Sequence, residues 1–92
     1  MKLMKGGEKM IQIRFKSRPD FWKKEQSGCK PNTIREFFDE KDIRKKLLDD
    51  FIKDGWKYME IVMVNTDNNQ SFTRTITDVS KYKGFYIISW RT

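Results

Sequence analysis

Residues 56–90, WKYMEIVMVNTDNNQSFTRTITDVSKYKGFYIISW, decide the fold class. The first ten of them hold a continuous apolar centre, Ile61, Val62, Met63 and Val64, which suits a strand covered on both faces. TDNNQ follows, rich in residues that accept left-handed backbone, and reads as a turn. Residues 71–79 then alternate, with Phe72, Arg74, Ile76 and Asp78 on one side and threonines on the other. That is the period of a strand, and the period leaves open which side is buried. SKYKG is a second turn with Tyr82 at its centre, and FYIISW at 85–90 is a final buried strand. Three strands joined by two short turns predict an antiparallel meander.

Upstream, DEKDIRKKLLDDFIKDG at 39–55 predicts the clearest helix. Ile43, Leu47, Leu48, Phe51 and Ile52 fall on one stripe. Asp39, Glu40 and Asp42 lead it, Lys53 lies near its end and Gly55 stops it, as the helix dipole and the left-handed terminus favour. Asp49 and Asp50 are read as pairing with Lys46 or Lys53. Residues 10–16, MIQIRFK, alternate as a half-buried strand. A short helix follows, capped by Ser17, with Pro19 and Asp20 in its first turn and Gly28 at its end. Phe21 and Trp22 are expected to face the core, and Lys23, Lys24 and Glu25 the solvent. KPNTIREFF then reads as a turn and a short strand, with Pro31 at the entrance where no donor is needed. Residues 1–8, containing Gly6 and Gly7, read as a loose leader, and 9–92 as one domain. The order is β-α-β-α-β-β-β: an α+β fold, a small curled sheet or β-barrel with two helices.

Composition narrows the chemistry. There is one cysteine, Cys29, and no histidine among the 92 residues. An internal disulfide and Cys/His or Ser/His catalysis are thereby excluded, and a metal site or other cofactor is not expected. Acid–base work would fall to Lys, carboxylates, Tyr, Thr or the lone thiol. The longest apolar run is far short of the ~20 residues of a membrane span. MKLMKGGEKM lacks the apolar centre and cleavage site of a secretory signal, so the expected setting is the cytoplasm with no membrane partner. Twenty Lys and Arg against thirteen Asp and Glu leave a formal charge of +7. An excess of that size suits a phosphate-bearing partner, since such side chains displace condensed counterions; a basic surface also serves solubility alone.

SGCKPNTIRE at 27–36 carries Gly28, Lys30, Thr33 and Arg35 directly after the short helix. This spacing resembles the G-x-K-x-x-T-x-R signature of ASCH domains, PUA-like β-barrels of bacteria and phages linked to RNA. The resemblance is nearest to small phage-encoded proteins with a KPNT version of the motif, and GFYIISW resembles the closing strand of that fold. Family members that are acetylcytidine amidohydrolases use the motif's Lys and Thr with a Glu from a later segment. The resemblance implies those catalytic roles for Lys30 and Thr33, and a cleft position for Arg35 facing a carboxylate or an anionic ligand. Here a helix follows the motif at once, where the family has a GD turn into a strand, and SKYKG replaces a longer insert. Glu36 and Glu60 are the candidates for the third catalytic group.

Read as residues alone, Thr33 and Arg35 are two apart and share a strand face, with Lys30 reaching them from the turn. Arg14, Lys16, Arg18, Lys23 and Lys24 extend a basic rim toward them, and Tyr82 is the leading candidate for an exposed stacking ring. Each also has an ordinary reading as solvated surface. Two functions follow. One is binding of RNA or a modified nucleoside in a cleft lined by Lys30, Thr33 and Arg35, with an amidohydrolase acting on an acylated nucleoside as its catalytic form. The other is a phage-type accessory protein that binds a host protein through its basic surface.

Overall fold

The computed structural model describes residues 11–54 and 58–91. The leader at 1–8, Met10, Gly55 and Trp56 lie outside the described residues. The elements are β1 (Ile11–Ser17), α1 (Pro19–Ser27), β2 (Asn32–Glu36), α2 (Ile43–Asp54), β3 (Met59–Asn65), β4 (Ser71–Tyr82) and β5 (Phe85–Trp90). This is the expected β-α-β-α-β-β-β order and an α+β fold. The five strands form one sheet in the order β1-β3-β4-β5-β2. β3, β4 and β5 are the antiparallel meander; β1 runs parallel to β3, and β2 antiparallel to β5.

The sheet curls because β4 changes partner along its length. Its first half pairs with β3, from Thr75 opposite Glu60 to Ser71 opposite Val64. Its second half pairs with β5, from Ile76 to Tyr82, with a register irregularity between Ile76 and Asp78. An extra residue at such a point bends the strand and increases its twist. It also resets the alternation. Asp78 turns outward and Val79 inward, so the expected pairing of Ile76 and Asp78 on one face fails there. The result is a half-barrel whose two free edges are β1 and β2.

Inside the curl lie Ile13 and Phe15 of β1, Met59, Ile61 and Met63 of β3, and Tyr86, Ile88 and Trp90 of β5. Trp90, at the end of β5, is 3% exposed, as a buried final strand requires. Leu48 and Phe51 of α2 close the core. The stripe on α2 is narrower than its periodicity predicts, since Ile43 and Ile52 stay exposed. The helix starts at Ile43, so Asp39 and Glu40 precede it rather than fill its first turn. Asp42 is the residue before it, and its Oδ1 accepts the Arg44 backbone N–H at 3.0 Å, as a helix cap does. Lys45 and Lys46 pair with Asp49 and Asp50. The Tyr86 hydroxyl donates to Asp49 at 2.6 Å and ties α2 to β5.

α1 begins with Pro19 and ends at Gly28, whose φ of 91° is left-handed, as its position predicts. Arg18, not Ser17, precedes the helix, and no side chain caps it. Trp22 docks α1 on the sheet by donating its indole N–H to the Met63 carbonyl at 3.0 Å. Phe21 does not join the core. The last turn is tighter than SKYKG suggests: β4 runs through Tyr82, and only Lys83 and Gly84, both at positive φ, make the turn, the two-residue geometry that matches strand twist.

Candidate ligand cleft

The two free edges do not pair, and a cleft of about 360 Å³ opens between them beneath α1. Lys16 and Ser17 come from the end of β1, Phe21 and Glu25 from α1, and Thr33, Ile34 and Arg35 from β2; Lys30 enters from the turn. The sequence accounts for this placement. Gly28 reverses the chain after α1, and the Lys30 backbone N–H donates to the Lys24 carbonyl at 3.0 Å. The turn is thereby clamped against the helix and its lysine points back under α1.

The chemical centre is Glu25. It was expected in solvent, yet it is 1% exposed. Its Oε1 accepts from the Ser17 hydroxyl at 2.8 Å and its Oε2 from Lys30 Nζ at 3.2 Å. The cost of burying a carboxylate is met by those two donors, since a buried charge persists only when paired and hydrogen-bonded. Lys30 Nζ also donates to the Asn32 carbonyl at 2.7 Å. Two of the three N–H donors of an ammonium are thus engaged, and the third has no hydrogen-bond acceptor among the described residues.

Thr33 and Arg35 do share a face. Arg35 Nε donates to Thr33 Oγ1 at 3.0 Å, and the Arg35 guanidinium lies 4.9 Å from the centre of the Phe15 ring. This contact spans the seam from β2 to β1. Both Nη groups of Arg35 are without a protein partner among the described residues. Burial pulls the Arg35 pKa below its ordinary value; the Glu25 charge pushes it back up, and nearby Arg44 lowers it further.

Lys30, Thr33, Arg35 and Lys16 therefore meet in one cleft. Arg18 stands on its rim but pairs with Asp20 at 3.3 Å. Arg14 lines a neighbouring groove with Glu36. Lys23 is on the exposed side of α1, and Tyr82 is at the β4–β5 hairpin with Lys83 5.4 Å from its ring centre; neither lines the two cavities. Glu60 accepts from Gln12 on the β1–β3 pair and is likewise outside the cleft. Cys29 is exposed.

The sequence reading missed Glu25, Ser17 and Phe21 as cleft residues. A signal for Glu25 was present: it stands three residues after Trp22, hence on the same side of the helix as the indole that docks on the sheet. Among the described residues no group of three or more His, Cys, Asp or Glu is arranged to hold a metal ion, and no helix is long and apolar enough to cross a membrane.

Compared with known proteins, the chain matches no family model, no curated protein and no solved structure.

Proposed function

We propose that the cleft binds a nucleoside unit of RNA, or a modified nucleoside, in the manner of an ASCH-like domain. The observation that carries the reading is the buried Glu25 carboxylate with Lys30 reaching it, beside Thr33 and Arg35. Glu25, its two oxygens taken by Ser17 and Lys30, holds the ammonium in place, and the cleft presents that ammonium, a hydroxyl and a guanidinium that donate to carbonyl or phosphate oxygens. The volume lies within the roughly 300–1,000 Å³ common for small-molecule sites. Phe21 supplies the remaining element. It lines the cleft while 42% exposed, a ring face on which a base can stack.

The binding form leads the catalytic one. With two of its donors fixed by Glu25 and Asn32, Lys30 is set up to donate to a ligand. To act as base or nucleophile on an acylated nucleoside it must first release a proton, for which Glu25 is the carboxylate within reach, at 3.2 Å. Thr33 would then orient the attacking group. A cytoplasmic, phage-type RNA-associated protein is consistent with this reading. The competing reading, a module that binds a host protein, draws on Phe38 and Ile43, which are 90% and 61% exposed.

Fluorescence anisotropy with a short single-stranded RNA, across a salt series, tests the proposal. The expected result is salt-sensitive binding weakened at least tenfold by Phe21→Ala, and by Lys30→Ala with Arg35→Ala. Binding to one purified host protein that survives these changes, with no RNA binding, would transfer the function to the competing reading. Release of acetate from acetylcytidine would establish the hydrolytic form.

A further inference from the structure

Beside the cleft lies a wider groove of about 670 Å³. Lys16 and Arg35 line both spaces, so the two adjoin across these side chains. The groove has an aromatic floor, Phe15 and Phe37, and a wall of cations. Arg44 is a fixed part of that wall. Its guanidinium lies 4.7 Å from the Phe15 ring centre and is held by Asp42 at 2.7 and 3.0 Å and by the Arg14 carbonyl at 2.9 Å. Asp42 neutralises it. Arg14 and Lys16 have no ion-pair partner among the described residues, and Arg35 has two free Nη groups. Three cations with no ion-pair partner among the described residues therefore line a groove that carries one exposed carboxylate, Glu36. Like charges lining one groove repel, and an anion bound among them relieves that repulsion.

We infer that the groove holds the backbone phosphate of a nucleotide whose base and sugar occupy the cleft, so the ligand is a phosphorylated strand of RNA rather than a free nucleoside. This rests on the nucleoside reading of the cleft. Lys16 and Arg35 stand at the junction, where the sugar passes to the phosphate. Arg35 is the pivotal group: its Nε is fixed by Thr33 and its plane by Phe15, which leaves the Nη edge for a paired contact with phosphate oxygens. Arg14 lies further along the groove and takes the flank of the same or the following phosphate.

Calorimetry with cytidine, its 5′- and 3′-monophosphates and a short single-stranded RNA tests this. One of the monophosphates is expected to bind at least tenfold tighter than cytidine, and the RNA tighter still. Arg14→Gln with Lys16→Gln should remove that preference. It should also reduce the slope of log affinity against log salt by about 1.4, from roughly 0.7 for each phosphate contact on a single strand. Lys23→Gln with Lys24→Gln, on the outer side of α1, should leave the preference intact. Equal binding of cytidine and both monophosphates would overturn the inference while the cleft reading stands. So would equal weakening by the two double variants, or polyglutamate competing as well as RNA at matched charge. Binding of none of these ligands would refute the cleft reading and the inference with it.

Discussion

Replacing Glu25 by Gln probes the arrangement on which the cleft depends. The side chain keeps its shape but loses its charge, and one of its two acceptor oxygens becomes an NH₂ donor. That donor then faces either the Ser17 hydroxyl or Lys30 Nζ, now 2.8 and 3.2 Å from the carboxylate oxygens. Removing one partner of a fully buried ion pair costs about 3–5 kcal/mol. Here only Glu25 is fully buried. The Lys30 side chain is 30% exposed and keeps its bond to the Asn32 carbonyl. Solvent therefore recovers part of the loss, and about 2 kcal/mol is expected. For a domain of this size that corresponds to a fall in Tm of about 8–16 °C. Urea unfolding followed by tryptophan fluorescence measures it. Adding Lys30→Met completes a double-mutant cycle, in which the pair should show a coupling of about 1 kcal/mol or more. A loss below about 0.5 kcal/mol for Glu25→Gln, or strict additivity in the cycle, would refute the view that Glu25 is buried against Lys30.

Other outcomes follow from local geometry. Tyr86→Phe removes the 2.6 Å hydroxyl bond to Asp49 and should lower stability by about 1.5 kcal/mol in urea unfolding, the scale of a hydrogen bond to a charged group. Asp42 is held below the ordinary carboxylate range mainly by the Arg44 side chain; for Asp49, burial pushes upward but is outweighed by Tyr86, Lys81 and Lys45. A depressed folded pKa contributes stability that is complete above the unfolded value of 3.8 and lost as pH falls through the folded value. The urea midpoint should therefore fall below about pH 4, and Asp49→Asn should flatten that fall. Gly28→Ala forces a side chain into φ 91° and should cost about 1 kcal/mol by the same assay, with weaker RNA binding because Lys30 is displaced.

The meander and the element order were legible because residues 56–90 alternate and turn by local rules. The curl was only half legible. The change of partner along β4 depends on which strands flank it, and no local period carries that information; the irregularity after Ile76 accordingly reversed the facing of Asp78 and Val79. In the cleft, Thr33 and Arg35 were readable as a strand face, and Lys30 as a turn residue following Gly28. Glu25 was misread because charge suggested solvent, whereas its partner Ser17 is eight residues away and comes into range only when α1 folds back over the end of β1. Phe21 was misread for the converse reason: an aromatic ring on a short helix usually enters the core, and Trp22 already fills that place.

The most direct test of the central claim, that the seam between β1 and β2 is the ligand site, is a heteronuclear NMR titration of the whole protein with short single-stranded RNA and with acetylcytidine. The expected result is saturable shift changes in the backbone amides of Lys16, Phe21, Glu25, Lys30, Thr33 and Arg35 and in the Trp22 indole that anchors α1. The β4–β5 turn at Lys83 and Gly84 should remain still. Unchanged spectra at the seam with both ligands, or changes confined to the hairpin and to Phe38, would contradict it.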